Sequence, residues 1–193
     1  MQNRLKAVAF PWIVFLGIAF PVLGGAQEIL ETQEESRSLE LPDHTGQLRS
    51  LQDYRGKVAV LNFWATWCGP CAAEMPRFVE TQSLYGGRGV VVLAASLDAE
   101  ETKANIPSFV TKYKMNFPVL VGATVDHLQR FEMGDGLPGT VFLDTEGRVF
   151  ARIFGEAKKK VIFARVEWLL GDRKGKNSKP PKPLLGKITR TPQ

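Results

Sequence analysis

Cysteine is nearly missing from this 193-residue chain, which has only Cys68 and Cys71. Two thiols cannot fill a structural zinc site, which takes four ligands. Histidine is equally scarce: His44 and His127 stand far apart and read as ordinary surface or turn residues. No metal and no other cofactor is therefore expected. Internal repeats are absent, and long apolar runs are limited to one, Ala7 to Leu23. Acidic residues are fewer than basic ones, giving a formal net charge of +5, but the excess is confined to the ends. The first 26 residues carry +2 and the last 23 carry +6, leaving the body at −3. The basic balance thus says nothing about the body's partners, and nucleic acid is not expected among them.

The length suits one domain with a real core. Arg4 and Lys6, the apolar run and the small residues Gly24-Gly25-Ala26 make residues 1–26 read as an export signal. An uncleaved inner-membrane anchor is the alternative, although 17 residues is short for a span and Pro21 would weaken it. With no cysteine in that segment, a lipid-modified N-terminus is excluded. Either way the domain is expected outside the cytoplasm, periplasmic or otherwise extracytoplasmic, where structural disulfides are permitted. Residues 27–37 are polar and acidic and read as a linker, 38–171 as the folded domain. Residues 172–193, rich in Lys, Pro and Gly, read as a disordered tail. The tail's functional alternative is contact with an anionic membrane surface.

An isolated Cys68-Gly69-Pro70-Cys71 is poor as a staple. Closing a four-residue ring is worth about 2 kcal/mol, against about 3 for a fifteen-residue loop. Reversible redox chemistry is the better reading. Val58–Trp64 is an apolar run suited to a strand buried on both faces, and a helix is predicted from Pro70 to about Tyr85. Cys68 then lies at the helix start, where free N–H groups and the helix dipole stabilise a thiolate. This makes Cys68 the exposed attacking sulfur and Cys71, one turn further in, the resolving one. Glu74, three residues beyond Cys71 on its face, is the candidate proton acceptor for Cys71. Its competing reading is a first-turn acid that stabilises the helix dipole.

Further along, a hairpin is predicted around Asp43-His44-Thr45-Gly46, with strands at Val90–Ala95, Phe117–Val121, Thr140–Leu143 and Arg148–Phe154. Helices are predicted within Asp98–Lys114, at Val125–Phe131 and at Lys158–Leu170. The order implies an α/β fold whose mixed sheet carries helices on both faces.

The segment Phe63-Trp64-Ala65-Thr66-Trp67-Cys68-Gly69-Pro70-Cys71-Ala72-Ala73-Glu74-Met75-Pro76 resembles the active-site segment of the thioredoxin superfamily. It is similar in particular to exported thiol–disulfide oxidoreductases of the TlpA/ResA type, in the AhpC/TSA-related redoxin branch. Asp53–Lys57 and Gly136–Asp144 share the likeness, which covers roughly Leu39 to Leu170. The resemblance implies a three-layer thioredoxin-like fold with an N-terminal hairpin and an insertion at residues 97–131. It implies that Pro138 is cis and faces the disulfide, that Leu137 offers backbone to a substrate, and that Trp67 shields the sulfur. Without the resemblance, Leu137-Pro138 is a turn and Trp67 a core residue. Glu74 matches the acid that this type carries after the second cysteine. Asn62 stands where thioredoxin has a buried aspartate, and an amide cannot accept a proton.

The implied function is protein-disulfide reduction in secreted proteins, such as apocytochrome c or a copper-site protein, as in cytochrome c biogenesis. A membrane thiol donor of the DsbD/CcdA type would supply electrons to a monomer. The rivals are a disulfide oxidase or isomerase and, in another class, a non-catalytic copper-binding or redox-sensing module. A peroxidase lacks its single-cysteine context here.

Overall fold

A computed structural model describes residues 38–171 and Pro181. The expected export signal, the linker over 27–37 and the basic tail, Pro181 apart, lie outside the described residues.

The chain begins with a two-stranded antiparallel ribbon, β1 (Glu40–Pro42) and β2 (Leu48–Ser50). Its turn is organised by Asp43, whose Oδ1 accepts from the Thr45 and Gln47 N–H groups at 2.9 and 3.1 Å. The Arg49 Nε donates to its Oδ2 at 2.9 Å. Burial would raise the Asp43 pKa, but these donors and the Thr45 hydroxyl together hold it well below the usual carboxylate range. Asp43 also bridges to Leu120, so the ribbon covers one edge of the main sheet.

That sheet has five strands: β3 (Val58–Trp64), β4 (Val90–Ser96), β5 (Val119–Val121), β6 (Gly139–Leu143) and β7 (Val149–Phe154), in the order β5-β4-β3-β6-β7. β3, β4 and β5 run parallel, while β6 and β7 are antiparallel to their neighbours. The parallel pairs require crossovers, and helices supply them. These are α1 (Gly69–Tyr85) between β3 and β4, and α2 (Ile106–Tyr113) between β4 and β5. A short α3 (Val125–Arg130) precedes β6, and α4 (Lys159–Leu169) follows β7. The predicted helices and strands are all present, with ends moved by one to a few residues, and the α/β layering is as expected.

β3 sits at the centre, and all seven of its residues are buried. Because side chains alternate, Val58, Val60 and Trp64 pack on one face with Met75 and Phe78 of α1, Phe109 of α2 and Ile162 and Val166 of α4. Ala59, Leu61 and Phe63 pack on the other with the ribbon, Leu128 of α3 and Phe131. Asn62 therefore belongs to the α1 side. The buried positions of α1 are Cys71, Glu74, Met75, Phe78, Thr81 and Tyr85, spaced mostly three or four apart along one face. Glu74 is thus carried into the core by the same periodicity that buries Met75 and Phe78.

Truncating Phe78, which has no exposed surface, to alanine should cost about 3–5 kcal/mol in urea unfolding. Leu84→Ala, at a position 53% exposed on the same helix, should stay within about 0.5 kcal/mol. Equal losses would contradict this orientation of α1.

Candidate active site

β3 ends at Trp64 and its parallel neighbour β4 at Ser96, in register. The chain leaves β3 through Ala65-Thr66-Trp67 and enters α1. Asp98 clamps this turn: its Oδ2 accepts from the Thr66 N–H at 2.9 Å and from the Ser96 hydroxyl at 2.6 Å, and its Oδ1 takes the Thr66 hydroxyl. Asp98 was not foreseen from the sequence. The signal available was the pair of polar residues Ser96 and Asp98 closing an otherwise apolar strand.

Cys68 is the N-cap of α1. Its Sγ accepts from the Cys71 N–H at 3.3 Å, and its carbonyl accepts from Ala72 at 3.1 Å. Capping by sulfur in place of a hydroxyl puts the atom where a negative charge is stabilised by an otherwise unpaired helix donor. Cys68 and Cys71 are joined as a disulfide with Cα atoms 5.3 Å apart. The contrast in exposure is smaller than anticipated: Cys68 is only 6% exposed and Cys71 not at all. Trp67, Cys68 and Pro70 line a common groove.

Glu74 has no exposed surface. Oε1 accepts from the Asn62 amide at 2.8 Å and Oε2 from the Ala157 N–H at 2.7 Å. The Asn62 amide nitrogen also lies 3.2 Å from the Thr140 hydroxyl oxygen. Two N–H donors are few for a carboxylate removed from water. Burial accordingly raises its pKa to about 7, against the lowering effect of those two donors and of the Arg77 charge. Arg77 reaches the same place from outside, donating to the Ala157 carbonyl at 2.7 Å and pairing with Glu156. The first-turn reading of Glu74 is corrected. It is the sixth residue of α1, beyond the first turn, and the core takes it rather than the helix end. Asn62, noted from the sequence only for what it cannot accept, is here a donor to the carboxylate. The Ala157 contact was not foreseen either, since 83 residues separate the partners.

The groove at the disulfide has a volume of about 470 Å³ and is lined by Trp67, Cys68, Pro70, Leu97, Val125 and Leu137, among others. Trp67 is 63% exposed, which excludes the core-packing alternative. Leu137 is half-buried on the groove, the Leu137–Pro138 peptide is cis, and Pro138 itself is buried. Leu137, just before β6, thus lines the same groove as Cys68, and Trp67 joins it from the turn after β3. His44 is exposed at the ribbon turn, whereas the Nδ1 of His127 accepts the Thr124 N–H at 3.0 Å and caps α3. Among the described residues no group of three or more His, Cys, Asp or Glu is gathered that could hold a metal ion.

The AhpC/TSA family profile matches residues 32–152. Thiol-disulfide oxidoreductase ResA of Bacillus cereus is 34% identical over 165 residues, covering 83% of this chain and 94% of that protein. ResA of Geobacillus thermodenitrificans is 36% identical over 127 residues, covering 66% of this chain and 71% of its own length. Among solved structures, a thioredoxin-family thiol:disulfide interchange protein from Chlorobium tepidum superposes with a TM-score of 0.61 at 27% identity, over 69% of this chain and 94% of that one. The exposed lipoprotein thioredoxin of Streptococcus pneumoniae gives 0.58 at 29% identity, over 67% and 98%. The chain belongs to the AhpC/TSA family, with a thioredoxin-like fold, and is a thiol–disulfide oxidoreductase.

The Glu74 environment has a consequence for stability. An acid whose folded pKa exceeds its unfolded value contributes stability below the unfolded pKa and loses it as pH rises through the folded one. The window here runs from 4.5 to about 7, and its full span is worth about 3 kcal/mol. The melting temperature of the disulfide form should therefore fall from about pH 4.5 to about pH 7 more steeply than that of Glu74→Gln. Parallel profiles would contradict the raised pKa.

Proposed function

We propose that this AhpC/TSA-family chain is an exported reductase of protein disulfides, with Cys68 as nucleophile, Cys71 as resolving thiol and Glu74 as proton acceptor. The observation that carries the reading is one vertical arrangement. A sulfur held by a helix N–H opens onto a groove, and a buried carboxylate with a pKa near neutral lies on the inner face of the same helix.

In the reduced protein the Cys68 thiolate attacks a substrate disulfide. One substrate sulfur leaves and takes up a proton, and a mixed disulfide remains. Glu74 accepts the Cys71 proton, and the Cys71 thiolate then attacks the Cys68 sulfur and releases the second substrate thiolate, which is protonated in turn. Two electrons pass from the pair to the substrate, leaving the Cys68–Cys71 disulfide. A base of pKa near the working pH is half ionised there, which suits it to take this proton. Trp67, Leu137 and Pro138 form the walls against which the substrate segment lies, Trp67 and Leu137 by exposed apolar surface and Pro138 by holding the turn.

The substrates we assign are secreted proteins whose cysteine pairs must be reduced before use, such as apocytochrome c before haem attachment or a copper-site protein. The electron donor is a membrane thiol protein of the DsbD/CcdA type. Residues 1–26 act as the export signal, which puts the domain in the periplasm or its equivalent. Gly69 and Pro70 between the cysteines favour the reducing direction over an oxidase or isomerase.

Two measurements test this reading. Iodoacetamide should label Cys68 before Cys71 with a midpoint below the free-thiol value of about 8.5, and Cys71→Ser should accumulate mixed disulfides that Cys68→Ser does not form. Preferential labelling of Cys71 would reverse the roles. In Glu74→Gln both cysteine pKa values should fall, because a like charge is gone, while resolution of the mixed disulfide slows by roughly 10²-fold near neutral pH. Unchanged pKa values and rates would remove Glu74 from the chemistry.

A further inference from the structure

Trp67 is a wall shared by two grooves. One is the groove over Cys68, apolar along Leu97, Val125 and Leu137 and carrying a single charged residue, Asp135. The other, of about 340 Å³, lies toward α2. There Thr102, Asn105 and Ser108 present hydroxyl and amide groups around a single charged residue, Lys112. Asp135 and Lys112 are both exposed, and neither is in an ion pair among the described residues. Lys112 is held over the Tyr113 ring at 5.3 Å, which fixes its direction without neutralising it. The two grooves therefore differ in the charge that lines them, Asp135 on the cis-peptide side of Trp67 and Lys112 on the α2 side.

Because the two grooves flank Trp67, a segment whose cysteine is engaged by Cys68 can set one neighbouring residue in each. We infer that Asp135 and Lys112 select the substrate by charge, so that the preferred disulfide-bearing segment carries a basic residue on one flank of its cysteine and an acidic residue on the other. This inference rests on the function proposed above and specifies the substrate class for the same site. The step itself is the exchange already described, and the two charges act only on binding and orientation.

The test uses two blocked peptides of identical composition, Lys-Gly-Cys-Gly-Glu and Glu-Gly-Cys-Gly-Lys, each joined to 2-mercaptoethanol through a disulfide. A third, Gln-Gly-Cys-Gly-Gln, serves as the uncharged reference. The reduced full-length protein passes two electrons to the peptide disulfide, yielding peptide thiol, mercaptoethanol and oxidised protein. Single-turnover rate constants are read from tryptophan fluorescence. Wild type should prefer one charge order by roughly five-fold or more at low salt, as two exposed pairs allow, with the preference shrinking in about 0.5 M salt through screening. The double variant Asp135→Lys/Lys112→Glu should invert the preference, and each single variant should reduce it. Equal wild-type rates for the two orders, or a preference that survives the double exchange, would overturn the inference while leaving the function intact. Failure to reduce even the uncharged peptide would overturn the function and the inference with it.

Discussion

The fold confines a carboxylate to the core with too few donors to hold its charge comfortably. Glu74 lies on the buried face of α1, below the disulfide, and accepts one N–H from the Asn62 side chain and one from the Ala157 backbone. Burial raises its pKa, and those two donors together with the Arg77 charge lower it. With two, it titrates near neutrality, at about 7. This balance leaves the group able to take up or release a proton near neutral pH, the range the proposed chemistry needs.

Each half of that arrangement follows from chain periodicity. The two-residue alternation of β3 turns Asn62 to the same side as Val60 and Trp64, the side on which α1 packs. The helical repeat sets Cys71, Glu74, Met75 and Phe78 in one buried stripe. The β7–α4 connection then closes over the carboxylate, with Arg77 on the solvent side bound to the Ala157 carbonyl. The same residue that solvates Glu74 through its N–H is thus held by a cation through its carbonyl. At the outer end of α1 the Cys68 sulfur takes the place of a capping hydroxyl, while Asp98 ties down the preceding turn through Thr66. The two ends of the site are therefore fixed by separate interactions.

Much of this was legible in the sequence because it depends on local rules. The apolar run at Val58–Trp64 and Pro70 at a helix start each point to one element, and the resemblance of Trp67–Glu74 pointed to the redox pair and the acid. What stayed hidden was long-range. Asn62 and Glu74 are twelve residues apart, Thr66 and Asp98 thirty-two, and Glu74 and Ala157 eighty-three. No periodicity carries such pairings, since they arise only once β3, β4 and the β7–α4 connection are stacked. The modest exposure of Cys68 was hidden for a related reason. A helix-start position says that a sulfur is near the surface, but its exposure also depends on residues brought in from elsewhere in the chain, Leu97, Val125 and Leu137 among those lining the same groove.

Glu74 titrates as a buried acid, and carbon-13 NMR of its side-chain carboxyl follows that titration directly. In the disulfide form the chemical shift should move with a midpoint near 7. A midpoint at the ordinary value of 4.5 would contradict the account, because a carboxylate already fully ionised below neutral pH is no longer poised to take the Cys71 proton.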